Sequence, residues 1–385
     1  MNVNGITPAN WSYPTAIWFG AGRIAEIGEA CVEAGIARPL LVTDRGLQEQ
    51  PILEQIQRLV FEVGLGDALF SAVDANPTDE NLAQGVAAFR QGRYDGVIAF
   101  GGGSGLDIGK AIAFMAGQTR PVWDFEDIGD YWRRADASAI VPIVAVPTTA
   151  GTGSEVGRAS VIANAATGVK KIIFHPRILP TVVIADPELT VSLPPVITAG
   201  TGMDAFAHCL EAYSTPSFHP MGDGIALEGM RLVNTYLPQA YQNPGNLEAR
   251  GQMMAAAAMG AVAFQKGLGG VHAISHAVAA LFGTHHGTTN AVLLAPVLEM
   301  NRSIIEVKIS RAAAYLGIAG GFDGFIARIR ELNAALGLPS GLGALGVTLD
   351  RIEDLIPLAL DDPSAAGNPV QLTSENLQTM IEKSL

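Results

Sequence analysis

Carboxylate and imidazole side chains recur at helical spacing in the second half of the chain. Asp204 and His208 are four residues apart, and so are His272 and His276. On a helix this spacing places both members of a pair on one face. A single pair is more often structural than metal-binding. Two pairs, followed by a His-His-Gly sequence at residues 285–287, predict a site for a divalent cation such as Fe²⁺, Zn²⁺ or Mn²⁺.

The histidines outnumber the ligand places of such a site. One aspartate and three histidines complete a four-ligand set, and spacing alone does not decide which histidines bind. A neutral histidine beside the metal, but not bound to it, is suited to carrying a proton. The five candidates are His208, His272, His276, His285 and His286.

A glycine-rich turn in the first half indicates phosphate binding. Residues 101–110 follow a buried strand-like run at residues 96–100 and include four glycines within five positions. Glycines let backbone N–H groups approach a phosphate, and the N-terminus of the following helix adds partial positive charge. The sequence is not a Walker A motif, because Ser104 and Ala111 depart from it. Leu106 departs from the G-x-G-x-x-G dinucleotide fingerprint.

Two further segments favour a dinucleotide. Asp44 follows an early strand, where a carboxylate can accept hydrogen bonds from a ribose 2′-hydroxyl and would repel a 2′-phosphate. A carboxylate at this position favours NAD over NADP. The alternative is that Asp44 is an ordinary turn residue that does not contact a cofactor. Residues 147–155 also follow a strand, and their hydroxyl groups and small side chains are suited to lining a cofactor cleft.

Alternating strand-like and helix-like segments in the first half would position the glycine-rich turn, Asp44 and residues 147–155. Thr78 is a candidate N-cap before a helical stretch. Four short apolar runs predict buried parallel strands, at residues 39–43, 96–100, 143–146 and 182–185. We therefore predict an α/β dinucleotide-binding domain with a parallel, doubly wound sheet over residues 1–187. The alanine-rich remainder predicts an all-α, metal-binding domain over residues 188–385.

Composition excludes several functional classes. The chain has 385 residues with a net charge of −13, which argues against nucleic acid as a partner. Its two cysteines indicate a reducing compartment. The longest apolar runs fall short of the roughly 20 residues that span a bilayer. We expect a cytoplasmic protein that acts on a small molecule, without nucleic-acid or membrane partners.

Five motifs in a fixed order give the chain a resemblance to a known family. It resembles the iron-containing (group III) alcohol dehydrogenases from end to end. The motifs are residues 101–110, 147–155, 186–190, 199–208 and 267–276, the last running on to residues 286–287 and 290–291. The resemblance implies an N-terminal nucleotide-binding domain, a C-terminal helical domain, a site in the cleft between them, NAD, a divalent metal (iron first, zinc or manganese otherwise) and a homodimer.

The resemblance also assigns residues. Asp204, His208, His272 and His286 would be the metal ligands, and His276 the nearby catalytic histidine that is not a ligand. His285 would be an ordinary neighbour. On the cofactor side, Asp44 would bind the adenosine ribose, and the pyrophosphate would be bound by Gly102, Gly103, Ser104 and Asp107. The residues along the cofactor would be Thr148, Thr149 and Thr152. Lys171, next to Lys170, would lie at the nicotinamide, and Asn76 would line the cleft.

The implied reaction is hydride transfer between an alcohol carbon and nicotinamide, with the metal as Lewis acid. Within the family, four stretches resemble 4-hydroxybutyrate dehydrogenases: residues 37–44, 174–175, 263–269 and 285–288. Arg158 and Lys266 flank two site motifs and would bind the carboxylate of a substrate such as succinic semialdehyde. A sulfonate or phosphonate would fit equally. If both cations are ordinary surface charges, a neutral diol or short-chain alcohol is the alternative.

Two rival classes share some of these features. A lyase of the dehydroquinate-synthase type also combines NAD with a metal, but it needs a more basic pocket for a phosphorylated substrate. A non-catalytic binding protein on the same fold is opposed by the complete Asp/His set, because buried charge without a metal is costly. Net production of NADH separates the lyase from the dehydrogenase.

Overall fold

The computed structural model describes residues 12–385, which form two compact units. The sheet unit contains Tyr13–Thr149 and Gly153–Val191. The helical unit contains Ser12, Ala150–Thr152 and Ser192–Leu385. The predicted division into functional domains at residue 187 stays a prediction.

Six parallel strands form the central sheet of the sheet unit, which confirms the predicted fold class. Its strands are β1 (Ala16–Phe19), β2 (Pro39–Val42), β3 (Leu69–Phe70), β4 (Gly96–Gly101), β5 (Ile143–Pro147) and β8 (Val182–Ala185). Their order across the sheet is β1-β8-β5-β4-β2-β3. A separate antiparallel pair, β6 (Ala159–Ala163) and β7 (Lys170–Phe174), was not predicted from the sequence.

Helices cover both faces of this sheet. They are α1 (Ile27–Ala34), α2 (Pro51–Glu62), α3 (Asp79–Gly92) and α4 (Gly103–Met115). On one face, Ile98 of β4 belongs to a core cluster with Ile27 of α1 and Ile56 of α2. On the other, a Cβ atom placed on Gly109 of α4 would lie 2.6 Å from the Cβ of Ala99. Neighbouring residues of β4 thus face opposite layers, as a doubly wound sheet requires.

Local sequence explains the start of α3. Thr78 is its N-cap, and the Thr78 hydroxyl accepts a hydrogen bond from the Asn81 N–H at 3.3 Å. The Asn81 amide oxygen accepts the Thr78 N–H in return at 3.0 Å. This capping box satisfies two backbone donors that a helix start leaves open.

The helical unit contains eight α-helices and no strand within Ser192–Leu385. The helices are α5 (Pro195–Ser214), α6 (Pro220–Gln242), α7 (Leu247–Ala263), α8 (Gly270–Phe282), α9 (His286–Tyr315), α10 (Gly321–Ala335), α11 (Ile352–Asp361) and α12 (Ser374–Lys383). Across residues 12–385, every helix is too short or too polar to cross a membrane.

Candidate active site

Three helices of the helical unit bring one carboxylate and three imidazoles together. Asp204 and His208 lie on α5, His272 on α8, and His286 is the first residue of α9. The Oδ1 atom of Asp204 is 3.7 Å from His208 Nε2, 3.8 Å from His272 Nε2 and 3.5 Å from His286 Nε2. Asp204, His208 and His272 are buried, and their ligand atoms form a compact group that could hold a metal ion.

The spacing of these atoms fits a metal centre. Ligand atoms about 2.1 Å from a shared ion in tetrahedral geometry lie about 3.4 Å apart. The three distances from Asp204 Oδ1 approach that value. Within the described chain, Asp204 has no lysine or arginine partner, so a bound cation would neutralise its buried charge. The four residues fit a divalent cation, and their role as ligands stays a prediction.

The protonation of His272 also suits metal binding. Burial lowers the pKa of His272 well below its ordinary value, and the nearby His208 acts in the same direction. A neutral imidazole keeps a nitrogen lone pair for a metal. The Asn290 side chain of α9 is fully buried beside these rings, and its amide nitrogen donates to Asp204 Oδ1 at 2.8 Å.

Glycine at a helix contact allows this convergence. A Cβ atom placed on Gly287, the second residue of α9, would lie 2.1 Å from the carbonyl oxygen of Gly200 on α5. No side chain can occupy that space. The first turn of α9 therefore packs directly on the α5 backbone, which carries His286 to within reach of Asp204.

A buried carboxylate that the sequence analysis did not identify supports the cluster. Glu211 Oε2 lies 2.5 Å from His272 Nδ1, and Glu211 Oε1 accepts the Val271 N–H at 2.7 Å. Burial raises the pKa of Glu211 to about 7, opposed by its backbone hydrogen bonds. Glu211 stands seven residues after Asp204 and three after His208 on one helix. That i, i+4, i+7 pattern was the signal that could have identified it.

His276 lies beside the ligand candidates with a carboxylate of its own. Its ring stacks on that of His286, with centroids 5.1 Å apart and an interplanar angle of 14°. The Nδ1 atom of His276 is 2.8 Å from Asp362 Oδ2, and Asp362 Oδ1 accepts the Ser364 N–H at 2.8 Å. Asp362 is remote in the sequence and was not predicted. His285, by contrast, caps α9, where its Nδ1 accepts the Thr288 N–H.

The candidate nucleotide site lies at the carboxyl ends of β2, β4 and β5. After β2 the chain forms β3 on one side of β2 and then β4 on the other side, so the strand order reverses between β2 and β4. Open parallel sheets bind ligands at such a reversal. Asp44 follows β2, and a Cβ atom placed on Gly101 would lie 3.2 Å from Asp44 Oδ2. Gly101 has φ +139°, a conformation that favours glycine. Burial raises the pKa of Asp44.

The glycine turn meets the threonine segment directly. A Cβ atom placed on Gly102 would lie 3.1 Å from the Thr149 side chain, and the Thr148 N–H donates to the Gly101 carbonyl at 2.9 Å. Gly103 starts α4, so backbone N–H groups of its first turn are available to an anion.

The next position of the turn contacts the segment that precedes α3. The Ser104 hydroxyl donates to the Ala75 carbonyl at 2.6 Å, next to the exposed Asn76. The structure thus gathers Asp44, Asn76, the glycine turn, Thr148 and Thr149 at one edge of the sheet.

Asp107 and Lys110 of α4 take part in an internal network. Asp107 Oδ1 accepts the Ser154 hydroxyl at 2.6 Å, and Asp107 Oδ2 accepts the Val161 N–H at 3.2 Å. The buried Lys110 Nζ donates to the Ser154 carbonyl at 2.9 Å and lies 3.3 Å from Asp107 Oδ1. Both side chains tie α4 to the segment after the threonines. A direct contact of Asp107 with pyrophosphate stays a prediction.

The predicted cations each have an acidic neighbour. Lys171 Nζ lies 2.6 Å from Glu126 Oε2. Lys266 is buried, and its Nζ lies 2.7 Å from Asp223 Oδ1 and 3.2 Å from the Tyr213 carbonyl. Burial lowers the pKa of Lys266 to about 8.

Arg158 sits in a partly apolar setting. Its guanidinium lies over the Phe174 ring, 5.4 Å from the centroid. Burial lowers the pKa of Arg158, and the nearby Asp127 opposes that shift. Thr152 belongs to the part of the helical unit at Ala150–Thr152, where its neighbour Gly151 packs on Thr201. The substrate role of Arg158 and Lys266, and the cofactor role of Thr152 and Lys171, stay predictions.

Comparisons with known proteins agree along the whole described chain. The profile of a family described as "Iron-containing alcohol dehydrogenase" matches residues 14–187. A second, described as "Fe-containing alcohol dehydrogenase family, C-terminal", matches residues 198–385. A 4-hydroxybutyrate dehydrogenase from Cupriavidus necator is 37% identical, over 97% of this chain and 99% of the relative.

Two solved structures are similar throughout. A 1,3-propanediol oxidoreductase has a TM-score of 0.93 and 34% identity, covering 98% of this chain and 100% of its own. A sulfoacetaldehyde reductase from Bifidobacterium kashiwanohense, solved in complex with NAD⁺, has a TM-score of 0.89 and 30% identity, covering 98% of this chain and 99% of its own.

Proposed function

Since the chain belongs to the iron-containing alcohol dehydrogenase family, we propose that it transfers hydride between NAD and a small alcohol with the help of a divalent metal. One observation carries the proposal: the buried carboxylate of Asp204 faces three imidazole nitrogens at ligand spacing. Iron is the first candidate, and zinc or manganese suits the same oxygen and nitrogen donors.

The residues of the helical unit would have two roles, metal binding and proton transfer. Asp204, His208, His272 and His286 would hold the metal, which supplies Lewis acidity toward the substrate oxygen when bound. His276 would accept the alcohol proton at Nε2, because its Nδ1–H is directed to Asp362. Oxidation would remove a hydride and a proton from the alcohol and leave the aldehyde or ketone. NAD⁺ would supply the hydride acceptor, and His276 would accept the proton.

The residues of the sheet unit would bind the cofactor. Asp44 would accept hydrogen bonds from the adenosine ribose, and its negative charge favours NAD over NADP. The glycine turn and the N-terminus of α4 would receive the pyrophosphate, because N–H groups and the helix dipole both favour an anion there. The NAD⁺ complex of the similar sulfoacetaldehyde reductase supports NAD as the cofactor.

For the substrate we propose an anionic hydroxy acid and its semialdehyde, such as 4-hydroxybutyrate and succinic semialdehyde. The 37% identical 4-hydroxybutyrate dehydrogenase supports this choice, and the sulfoacetaldehyde reductase is named for another anionic aldehyde. Arg158 and Lys266 are the proposed partners of the substrate carboxylate. We also propose that the chain acts as a homodimer, as its resemblance implies, and that it is cytoplasmic, as its two cysteines indicate.

A neutral diol or short-chain alcohol is the second candidate substrate. The similarity to a 1,3-propanediol oxidoreductase favours it. So do the acidic neighbours of both predicted cations, because Asp223 and Asp127 offset the charge that would attract an anion.

The test is NADH oxidation with succinic semialdehyde, propanal and lactaldehyde, with Fe²⁺ added under anaerobic conditions. Arg158→Ala and Lys266→Met are measured singly and together, because Lys266 also pairs with Asp223 inside the fold. Arg133→Ala, at an exposed arginine, is the control.

The anionic substrate is supported if wild type prefers the semialdehyde, the Arg158 or Lys266 variants lose that preference, and the control keeps it. Preference for neutral aldehydes in all five proteins supports the diol or short-chain alcohol. The absence of any net change in NADH with metal-loaded enzyme contradicts the dehydrogenase assignment.

A further inference from the structure

We propose that Glu211 is a positioning residue of the metal centre, holding His272 in the tautomer whose Nε2 lone pair faces the other ligands. The inference rests on the proposed metal centre and extends it to a residue that neither motif spacing nor the ligand group includes. Glu211 is on α5, the helix that carries Asp204 and His208, and it contacts α8 at its first turn.

The contacts of Glu211 fix both the ring and the backbone of His272. Glu211 Oε2 is 2.5 Å from His272 Nδ1 and 3.4 Å from the His272 backbone nitrogen. Glu211 Oε1 accepts the Val271 N–H at 2.7 Å. Both Glu211 oxygens accept backbone N–H groups, and this favours the ionised carboxylate. An ionised carboxylate can only accept hydrogen bonds, so in that state Nδ1 carries the proton and Nε2 presents its lone pair.

The charge of Glu211 has no lysine or arginine partner among the described ion pairs, although the residue is buried. An isolated buried carboxylate is costly. The groups of positive character that face it are the N-terminus of α8 and the imidazole whose other nitrogen lies in the ligand cluster. A cation held by the ligand cluster would further offset the negative charge of Glu211, because His272 lies between the two. The burial of Glu211 is therefore coupled to the metal centre.

The Nδ1 atoms of the other two candidate histidine ligands have different surroundings. His208 Nδ1 is buried without a hydrogen-bond partner in the described chain. His286 Nδ1 lies 3.0 Å from the neutral Ser275 hydroxyl. Glu211 thus gives His272 Nδ1 a carboxylate partner, whereas His208 Nδ1 has no hydrogen-bond partner among the described residues.

A glutamine at position 211 would be nearly isosteric but unable to make the same bonds. If its amide nitrogen faced His272, that ring would shift its proton to Nε2 and lose the lone pair directed to the cluster. If the amide nitrogen faced Val271, two N–H donors would oppose each other. Either arrangement weakens metal binding without removing a ligand.

The experiment compares Co²⁺ binding by wild type, Glu211→Gln and Glu155→Gln. Glu155 is the matched control: it is also a buried glutamate, burial raises its pKa to about 7 as well, and it lies in the sheet unit. Affinity is measured by competition with a chromophoric chelator, and coordination by the visible Co²⁺ spectrum. We expect Glu211→Gln to weaken Co²⁺ binding by about 10- to 100-fold, and Glu155→Gln to bind like wild type.

Equal affinity of Glu211→Gln and wild type, with unchanged spectra, overturns the inference and leaves the metal centre intact. Failure of wild type to bind Co²⁺ overturns the proposed metal centre and this inference together. Equal weakening in Glu155→Gln also overturns it, because the effect would then be a general result of removing a buried carboxylate.

A second measurement covers the case in which Glu211→Gln does not fold. In ¹⁵N-histidine-labelled wild type, with and without Zn²⁺, the His272 ring is assigned by loss of its signals in His272→Gln. Protonation at Nδ1 in both states supports the inference. Protonation at Nε2 in the metal-free protein overturns it.

Discussion

Two histidines of this site each have a carboxylate partner at Nδ1. His272 belongs to the ligand cluster and His276 lies beside it. Each has a carboxylate at Nδ1, which is Glu211 for His272 and Asp362 for His276. An imidazole held in this way presents Nε2 as an acceptor. In the proposed reaction, the same arrangement would serve a metal ligand at His272 and a proton acceptor at His276.

Asp362→Asn should reduce turnover more than substrate binding. An asparagine can donate to His276 Nδ1, which favours the tautomer protonated at Nε2 and removes the acceptor from the reacting side. We expect kcat to fall by about 100-fold with little change in KM, within the range for loss of general acid–base catalysis. Asp361→Asn, at the exposed neighbouring position, is the control and should retain wild-type kcat. Equal kcat in both variants would contradict the role of Asp362.

Asp44→Ser should relax the preference for NADH. Serine keeps an acceptor for the Gly46 N–H that Asp44 now binds at 2.9 Å, but it removes the negative charge. Removing a repulsion of about 1 kcal/mol should raise kcat/KM for NADPH by roughly fivefold. The kcat/KM values with NADH and NADPH are compared, with Asp67→Ser at an exposed site as control. An unchanged ratio would show that Asp44 does not face the ribose.

At the scale of elements, glycine contacts control how closely helices approach. The α5–α9 contact at Gly200 and Gly287 brings His286 to Asp204. In the sheet unit, Gly109 similarly allows α4 to pack on β4. Small side chains at these points are requirements of packing, and they explain part of the high glycine content of 44 residues.

Gly287→Ala should damage the metal centre without removing a ligand. The added methyl group would overlap the Gly200 carbonyl, so the first turn of α9 must move away from α5. We expect at least tenfold weaker Co²⁺ binding and a lower melting temperature, because overpacking costs about 1–3 kcal/mol. Chelator competition and calorimetry measure the two effects.

Gly224→Ala in α6 is the matched control. Its added Cβ would meet nothing within 4 Å, and alanine favours a helix more than glycine does. This variant should bind Co²⁺ normally and melt at the same or a slightly higher temperature. If Gly287→Ala behaved in the same way, the close helix contact would not control the ligand geometry.

At the scale of the whole molecule, the two units hold different parts of the proposed reaction. The four candidate ligands come from α5, α8 and α9 of the helical unit, and the glycine turn belongs to the sheet unit. A cation that joins three helices stabilises the folded state relative to the unfolded chain, because the unfolded chain does not hold the ligands together.

Metal removal should therefore lower thermal stability. At a Zn²⁺ concentration 100 times its Kd, stabilisation is about 2.7 kcal/mol, so chelation should reduce the melting temperature by several degrees. Asp204→Asn should lose most of this response. His285→Gln should keep it, since His285 caps α9 and is not a candidate ligand. A response lost in His285→Gln and kept in Asp204→Asn would contradict the ligand assignment.

The sequence alone determined features whose causes are local. The four predicted strands correspond to β2, β4, β5 and β8, because buried parallel strands read as short apolar runs bounded by turns. Thr78 caps α3 because a hydroxyl there meets the N–H three residues later. The types of the candidate ligands were also readable, because i, i+4 pairs share a helix face.

Only the tertiary structure decided the partners of these residues. Glu211 is 61 residues from His272, Asp362 is 86 from His276, and Asp223 is 43 from Lys266. Periodicity does not encode which side chains meet across such separations. They meet because packed helices bring remote turns together and because a buried charge requires a partner. Lys266, which the sequence analysis proposed as a substrate cation, thus has Asp223 as an acidic neighbour within the helical unit.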